Sequence, residues 1–177
     1  MKTLKYVSSF FIMLLVFTVN AQTVKDQKII DDAVEAKAML LKADEGLKSF
    51  FDKSAGYVIF PNVGKGGFIV GAASGNGVVY ENGTKVGMAD LKKLNIGFQA
   101  GGQAIIEVIF FETTDALKDF KEGKFSFAAE ASAVAVRSGI AFNAKYKDGV
   151  AVFALPKAGL MADASVGGQK FNYHPFE

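Results

Sequence analysis

The sequence predicts an α+β domain: a strongly bent or barrel-like antiparallel, Gly-rich sheet with an N-terminal amphipathic helix and one short internal helix. Three observations carry that prediction. A glycine-poor stretch of helical period comes first, and 18 of the 19 glycines then fall between Gly56 and Gly168 among short apolar runs. Asn82-Gly83 and Asp148-Gly149 each sit between two such runs, as two-residue hairpin turns do. With 177 residues, half of them hydrophobic, the chain has the length of one domain with a substantial core.

Residues 1–21 read as an address rather than as structure. Lys2 and Lys5 precede a run from Tyr6 to Val19 that is apolar except for Ser8, Ser9 and Thr18, and Val19-Asn20-Ala21 offers small residues to a signal peptidase. The run falls short of the ~20 apolar residues a spanning helix needs. Cleavage after Ala21 is expected, leaving 22–177 as a single domain, periplasmic or secreted and at most peripheral to a membrane. The chain has 20 basic and 18 acidic residues, and the leader holds two of the lysines, so the remainder is balanced. Such a balance opposes nonspecific nucleic-acid binding, which needs dense phosphate neutralisation.

From about Val24 to Lys53 the pattern is helical. Ala33, Ala36, Leu40, Ala43, Leu47 and Phe50 advance by threes and fours, while Lys37, Asp44 and other charged residues are read onto a solvated opposite face. Gly46 predicts a break or kink near Asp44–Gly46. Strands are then expected near 57–60, 67–73, 77–81, 85–89, 96–100, 105–111, 125–136, 140–146, 150–155, 161–166 and 170–173. The nearly continuous apolar run Ile105–Phe111 reads as a central strand. Between strands, Thr113-Thr114-Asp115 is suited to cap a short helix over Ala116–Lys121, with Gly123 as its stop. Short strands and tight turns favour antiparallel pairing throughout, since a parallel crossover needs a dozen or more residues.

Composition removes most catalytic chemistries. There is no Cys, no Trp and one His, which excludes disulfide frameworks, thiolate metal sites and cysteine nucleophiles. Gly64-Lys65-Gly66-Gly67-Phe68 fits neither a Walker loop nor a dinucleotide fingerprint, and Ser74 lacks the nucleophile-elbow spacing. His174 reads as a surface residue of a loose tail with no orienting acid. Of the acids in apolar context, Glu107 alternates with apolar neighbours and fits a solvent-facing strand position, while Glu130 and Asp163 suggest no substrate. No catalytic residue, metal site or cofactor is therefore expected.

Several stretches together resemble the SYLF domain family. They are Ala55-Gly56-Tyr57-Val58-Ile59-Phe60-Pro61, the glycine motif 64–68 with Gly71 and Gly75-Asn76-Gly77-Val78, Gly97 to Gln103, Thr114 to Phe120, Ala129 to Val134, and Lys157 to Gly168. The resemblance spans roughly residues 30–172. It implies a non-enzymatic domain that binds membrane lipid, phosphoinositides among eukaryotic relatives, where actin-binding and actin-regulating members also occur. In those relatives a basic amphipathic N-terminal segment contacts the membrane. Between Gln22 and Lys53 this chain instead has six lysines against seven acids, so neighbouring acids offset polybasic attraction, and phosphoinositide specificity is not carried over. An exported chain would not meet actin.

Five residues are candidates for lipid contact. Phe50 and Phe51, flanked by Lys48 and Lys53, have the composition of an interfacial anchor, although their helical spacing favours core packing against the sheet. Lys65, inside the glycine motif, is placed to meet a head group or to stand as a solvated turn residue. The expected partner is membrane lipid or an envelope surface. The alternative is a structural or partner-binding envelope module that docks another protein without lipid affinity.

Overall fold

The computed structural model describes residues 24–64, 73–93, 104–127, 133–157 and 166–176. The expected leader at 1–21, Lys65 and the strands expected at 67–72, 96–100 and 161–165 lie outside the described residues, as do residues 128–132 of another. Residues 24–43 form helix α1, which buries Ala33, Ala36 and Leu40. The chain turns at 44–46 and resumes as α2 (Leu47–Lys53), which buries Leu47, Phe50 and Phe51.

Seven strands follow: β1 (Gly56–Val63), β2 (Ala73–Glu81), β3 (Thr84–Lys93), β4 (Ile105–Phe111), β5 (Val134–Ala135), β6 (Val150–Pro156) and β7 (Gln169–Pro175). They make one sheet in the order β5-β6-β4-β1-β2-β3-β7. The outermost strands do not pair with each other among the described residues, so the sheet is open rather than closed into a barrel. All pairings are antiparallel except β5 with β6, which run parallel. The expectation of a purely antiparallel sheet is thereby corrected. The connection between Ala135 and Val150 is long enough for the crossover that parallel pairing needs.

The sheet separates two apolar layers. Tyr57, Ile59, Val108, Phe110 and Phe153 face α1 and α2, while their neighbours Val58, Phe60, Ile109, Phe111 and Val152 face helix α3 (Thr114–Lys121) with Leu117 and Phe120. With both faces covered, β4 is buried at every position, which explains its unbroken apolar run. Glu107 on this strand is buried rather than solvent-facing, and its Oε2 accepts a 3.0 Å hydrogen bond from Gln169 Nε2.

Local signals account for the punctuation. Asn82 and Gly83 take φ of +49° and +78°, and Asp148 and Gly149 take +53° and +77°, as a type I′ turn requires. Thr113 Oγ1 caps α3 by accepting from Ala116 N at 3.2 Å, and Lys121 ties its last turn to Glu81 of β2 at 2.6 Å.

Three further readings change. Of the strand expected at 125–136, only Val134–Ala135 is strand among the described residues. Residues 140–146 form no strand; Ala141–Asn143 is a single 3-10 turn followed by extended chain. His174 is not in a loose tail but in β7 opposite Met88 of β3, with Nε2 3.1 Å from Asp90 Oδ2.

Candidate functional site

The residues proposed from sequence divide between core and surface. Phe50 is 7% exposed, its ring centroid 5.0 Å from that of Phe153, 5.4 Å from Phe110 and 5.3 Å from Tyr146. Phe51 is 8% exposed and packs edge-on against Tyr57 and Phe110 at 4.9 and 4.8 Å. Both rings therefore take the core alternative that their spacing allowed. Lys48 is exposed and pairs with Asp52 one helical turn on. Lys53 is exposed at the end of α2, and Lys65 lies outside the described residues.

Phe50 and Lys53 nonetheless line one cleft, of about 480 Å³. Gly46, Ser49, Phe50 and Lys53 come from the start and outer face of α2, Glu112 follows β4, and Ala141, Phe142, Ala144, Lys145 and Tyr146 come from the 3-10 turn and its sequel. Phe142 is 75% exposed, and Ile140 beside it is exposed as well. Burial, and secondarily the charge of Glu112, push the Tyr146 phenol up to about 12, so it stays neutral and serves the cleft as an aromatic wall with a polar tip.

The turn bearing Phe142 is seated by a buried acid. Asp44 is 2% exposed, not solvated as its place in the helical pattern suggested; Oδ1 accepts from Gly46 N at 2.9 Å and Oδ2 from Ala141 N at 2.7 Å. One carboxylate thus ties the break between α1 and α2 to the 3-10 turn. Gly46 permits the approach, because a Cβ there would stand 3.0 Å from Phe142 N and 3.1 Å from Ala141 Cβ.

Lys37 also departs from the solvated face assigned to it. Its Nζ donates to Tyr57 Oη at 2.9 Å and lies 4.5 and 5.0 Å from the Phe51 and Tyr57 ring centroids. Burial lowers its pKa, the nearby Asp52 opposing and Lys48 adding to the effect. A second cleft, of about 580 Å³, lies beside the first and shares Ala144 and Lys145 with it; Phe125, Phe127, Val152 and Phe153 supply apolar lining.

Among the described residues no group of three or more His, Cys, Asp or Glu could hold a metal ion. No described helix is long and apolar enough to cross a membrane. The first cleft joins aromatic surface to two exposed lysines.

Residues 92–174 match the family model described as Ysc84, Las17-binding protein actin regulator. That stretch holds the Ile140–Tyr146 side of the cleft. Residues 92–174 are thus similar to the SYLF (Ysc84) family. The chain is also similar to Beta cell expansion factor A of Aeromonas veronii, at 27% identity over 157 residues, which is 86% of this chain. It spans 59% of that relative's length. The family match begins at the end of β3, and α1, α2, β1 and β2 lie before the matched residues.

Sequence reasoning missed Phe142, Lys145 and Asp44. The alternation of Ile140, Phe142, Ala144 and Tyr146 imitates a strand, and the one local sign against it is Gly139, which takes φ +80°.

Proposed function

We propose that this chain is an exported, non-enzymatic SYLF domain that associates peripherally with membrane lipid at the cell envelope. The observation that carries the reading is the cleft between α2 and residues 140–146, where exposed Phe142 lies with Lys53 and Lys145 beside the rings of Phe50 and Tyr146. An interfacial protein needs this combination of apolar surface for the acyl boundary and cations for anionic head groups. Resemblance to a lipid-binding family and the apolar run at 6–19 support the same reading.

The second reading is a protein-docking envelope module. The outer edge of β7 is unpaired among the described residues, and such an edge accepts an added strand. Flotation with vesicles separates the two. The chain is recovered from a bacterial envelope fraction, its N-terminus read by mass spectrometry, and mixed with phosphatidylcholine vesicles with and without phosphatidylglycerol. A start at Gln22 and flotation with the anionic vesicles are expected. A chain retained in the cytoplasm removes the export element, and a chain that floats with neither vesicle favours the docking module.

A further inference from the structure

We propose that the turn at Ile140–Phe142 is the wedge by which the domain enters an anionic bilayer, a step that rests on the lipid reading above and assigns it a face. Phe142 is 75% exposed and Ile140 is exposed beside it, so two large apolar side chains project from one short turn. Isolated exposed apolar residues are ordinary on protein surfaces; an exposed aromatic with cations beside it is less so.

The turn is held from below. Ile140 N donates to Arg137 O at 3.1 Å, Asn143 N to Ile140 O at 3.1 Å and Ala144 N to Ala141 O at 3.2 Å. The carboxylate of Asp44 grips Ala141 N, and Gly46 leaves room for the backbone of Phe142. The ring stands at the mouth of the cleft whose wall is formed by Phe50 and Tyr146, packed on each other at 5.3 Å.

Charge selects the surface. Lys53 and Lys145 line the same cleft as Phe142, both are exposed, and neither makes an ion pair among the described residues. Arg137, exposed at the base of the turn, adds a third cation, and Glu112 is the acid that faces them in the cleft. The balance favours phosphodiester head groups, each cation strengthening partitioning about fivefold near an anionic surface at low salt. The outer face of α1 offers no such balance, since its lysines are interleaved with acids and Lys28 is already paired with Asp32 at 3.0 Å.

The chain contains no Trp, so Phe142→Trp creates a single reporter at the wedge. It is mixed with phosphatidylcholine and phosphatidylglycerol vesicles, part of the phosphatidylcholine carrying brominated acyl chains. Emission is expected to shift to the blue and to be quenched, while Val34→Trp, on the exposed face of α1, is expected to do neither. Phe142→Ser should lower the partition coefficient roughly tenfold with an unchanged thermal melt, since the ring contributes by entering the interface and not by packing. Quenching at residue 34 but not at 142, or unchanged partitioning of Phe142→Ser, overturns the wedge and leaves the lipid reading standing. Failure of the unaltered chain to bind these vesicles overturns both.

Discussion

Asp44 Oδ2 accepts a 2.7 Å hydrogen bond from Ala141 N across 97 positions of sequence, so the break in the N-terminal helices and the turn bearing Phe142 form one unit. The carboxylate is 2% exposed, and its other oxygen takes Gly46 N. Asp44→Ala would leave two buried donors unsatisfied, and a loss of roughly 2–4 kcal/mol is expected. Asp44→Asn keeps one acceptor and should lose less. Urea denaturation of the three proteins checks the order; equal stabilities would show that the carboxylate does not fix the turn.

Phe50 and Phe142 line the same cleft yet should respond in opposite ways. Phe50→Ala empties a site among Phe110, Tyr146 and Phe153 and should cost about 3–5 kcal/mol. Phe142→Ala removes an exposed ring and should stay within about 0.5 kcal/mol of the unaltered protein. Comparable losses in denaturant melts would contradict the assignment of one to the core and the other to the surface.

Gly77 of β2 is required for space. A Cβ there would stand 2.6 Å from Ile59 O and 2.6 Å from Phe60 Cδ1, and a strand backbone in the sheet centre has little freedom to withdraw. Gly77→Ala should therefore destabilise by about 1–3 kcal/mol, against the usual stabilising direction of Gly→Ala. A gain in melting temperature would show that the neighbouring strand yields.

Alkaline stability follows from three phenols, and burial raises the first of them, Tyr57. Burial, reinforced by Tyr57, pushes Tyr80 up to about 12, and burial with the charge of Glu112 does the same for Tyr146. A raised folded pKa means that the folded protein keeps protons the unfolded chain releases. Their contribution is complete below about pH 10 and is lost as the pH rises towards 12. Lys37, its pKa lowered mainly by burial, titrates with the opposite sign, so single variants are needed to separate the effects. Tyr80→Phe and Tyr146→Phe should each flatten the fall in stability between pH 10 and 12; an unchanged slope would assign it to other groups.

Much of the fold was legible because it is written locally. The run Ile105–Phe111 names a strand covered on both faces, Asn82-Gly83 names its turn, and Thr113 with Gly123 brackets α3. The misread parts depend on partners distant in sequence. Asp44 belongs to the charged pattern of a helix until Ala141 is brought to it, and Lys37 until Phe51 and Tyr57 flank it. The alternation at 140–146 has strand period, but hydrogen bonds inside the turn and the grip of Asp44 satisfy its backbone in another way. Of the site, Phe50 and Lys53 were found through helix spacing and composition. Phe142 and Lys145 were not, because exposure of an aromatic is a property of the assembled surface.

The most direct test of lipid association is flotation of the chain with vesicles of phosphatidylcholine and phosphatidylglycerol across a salt series. Binding at low salt that weakens, but persists in part, as salt screens the lysines is the predicted result, since the contribution of Phe142 is not electrostatic. Absence of binding at every salt concentration would contradict it and return the domain to protein docking.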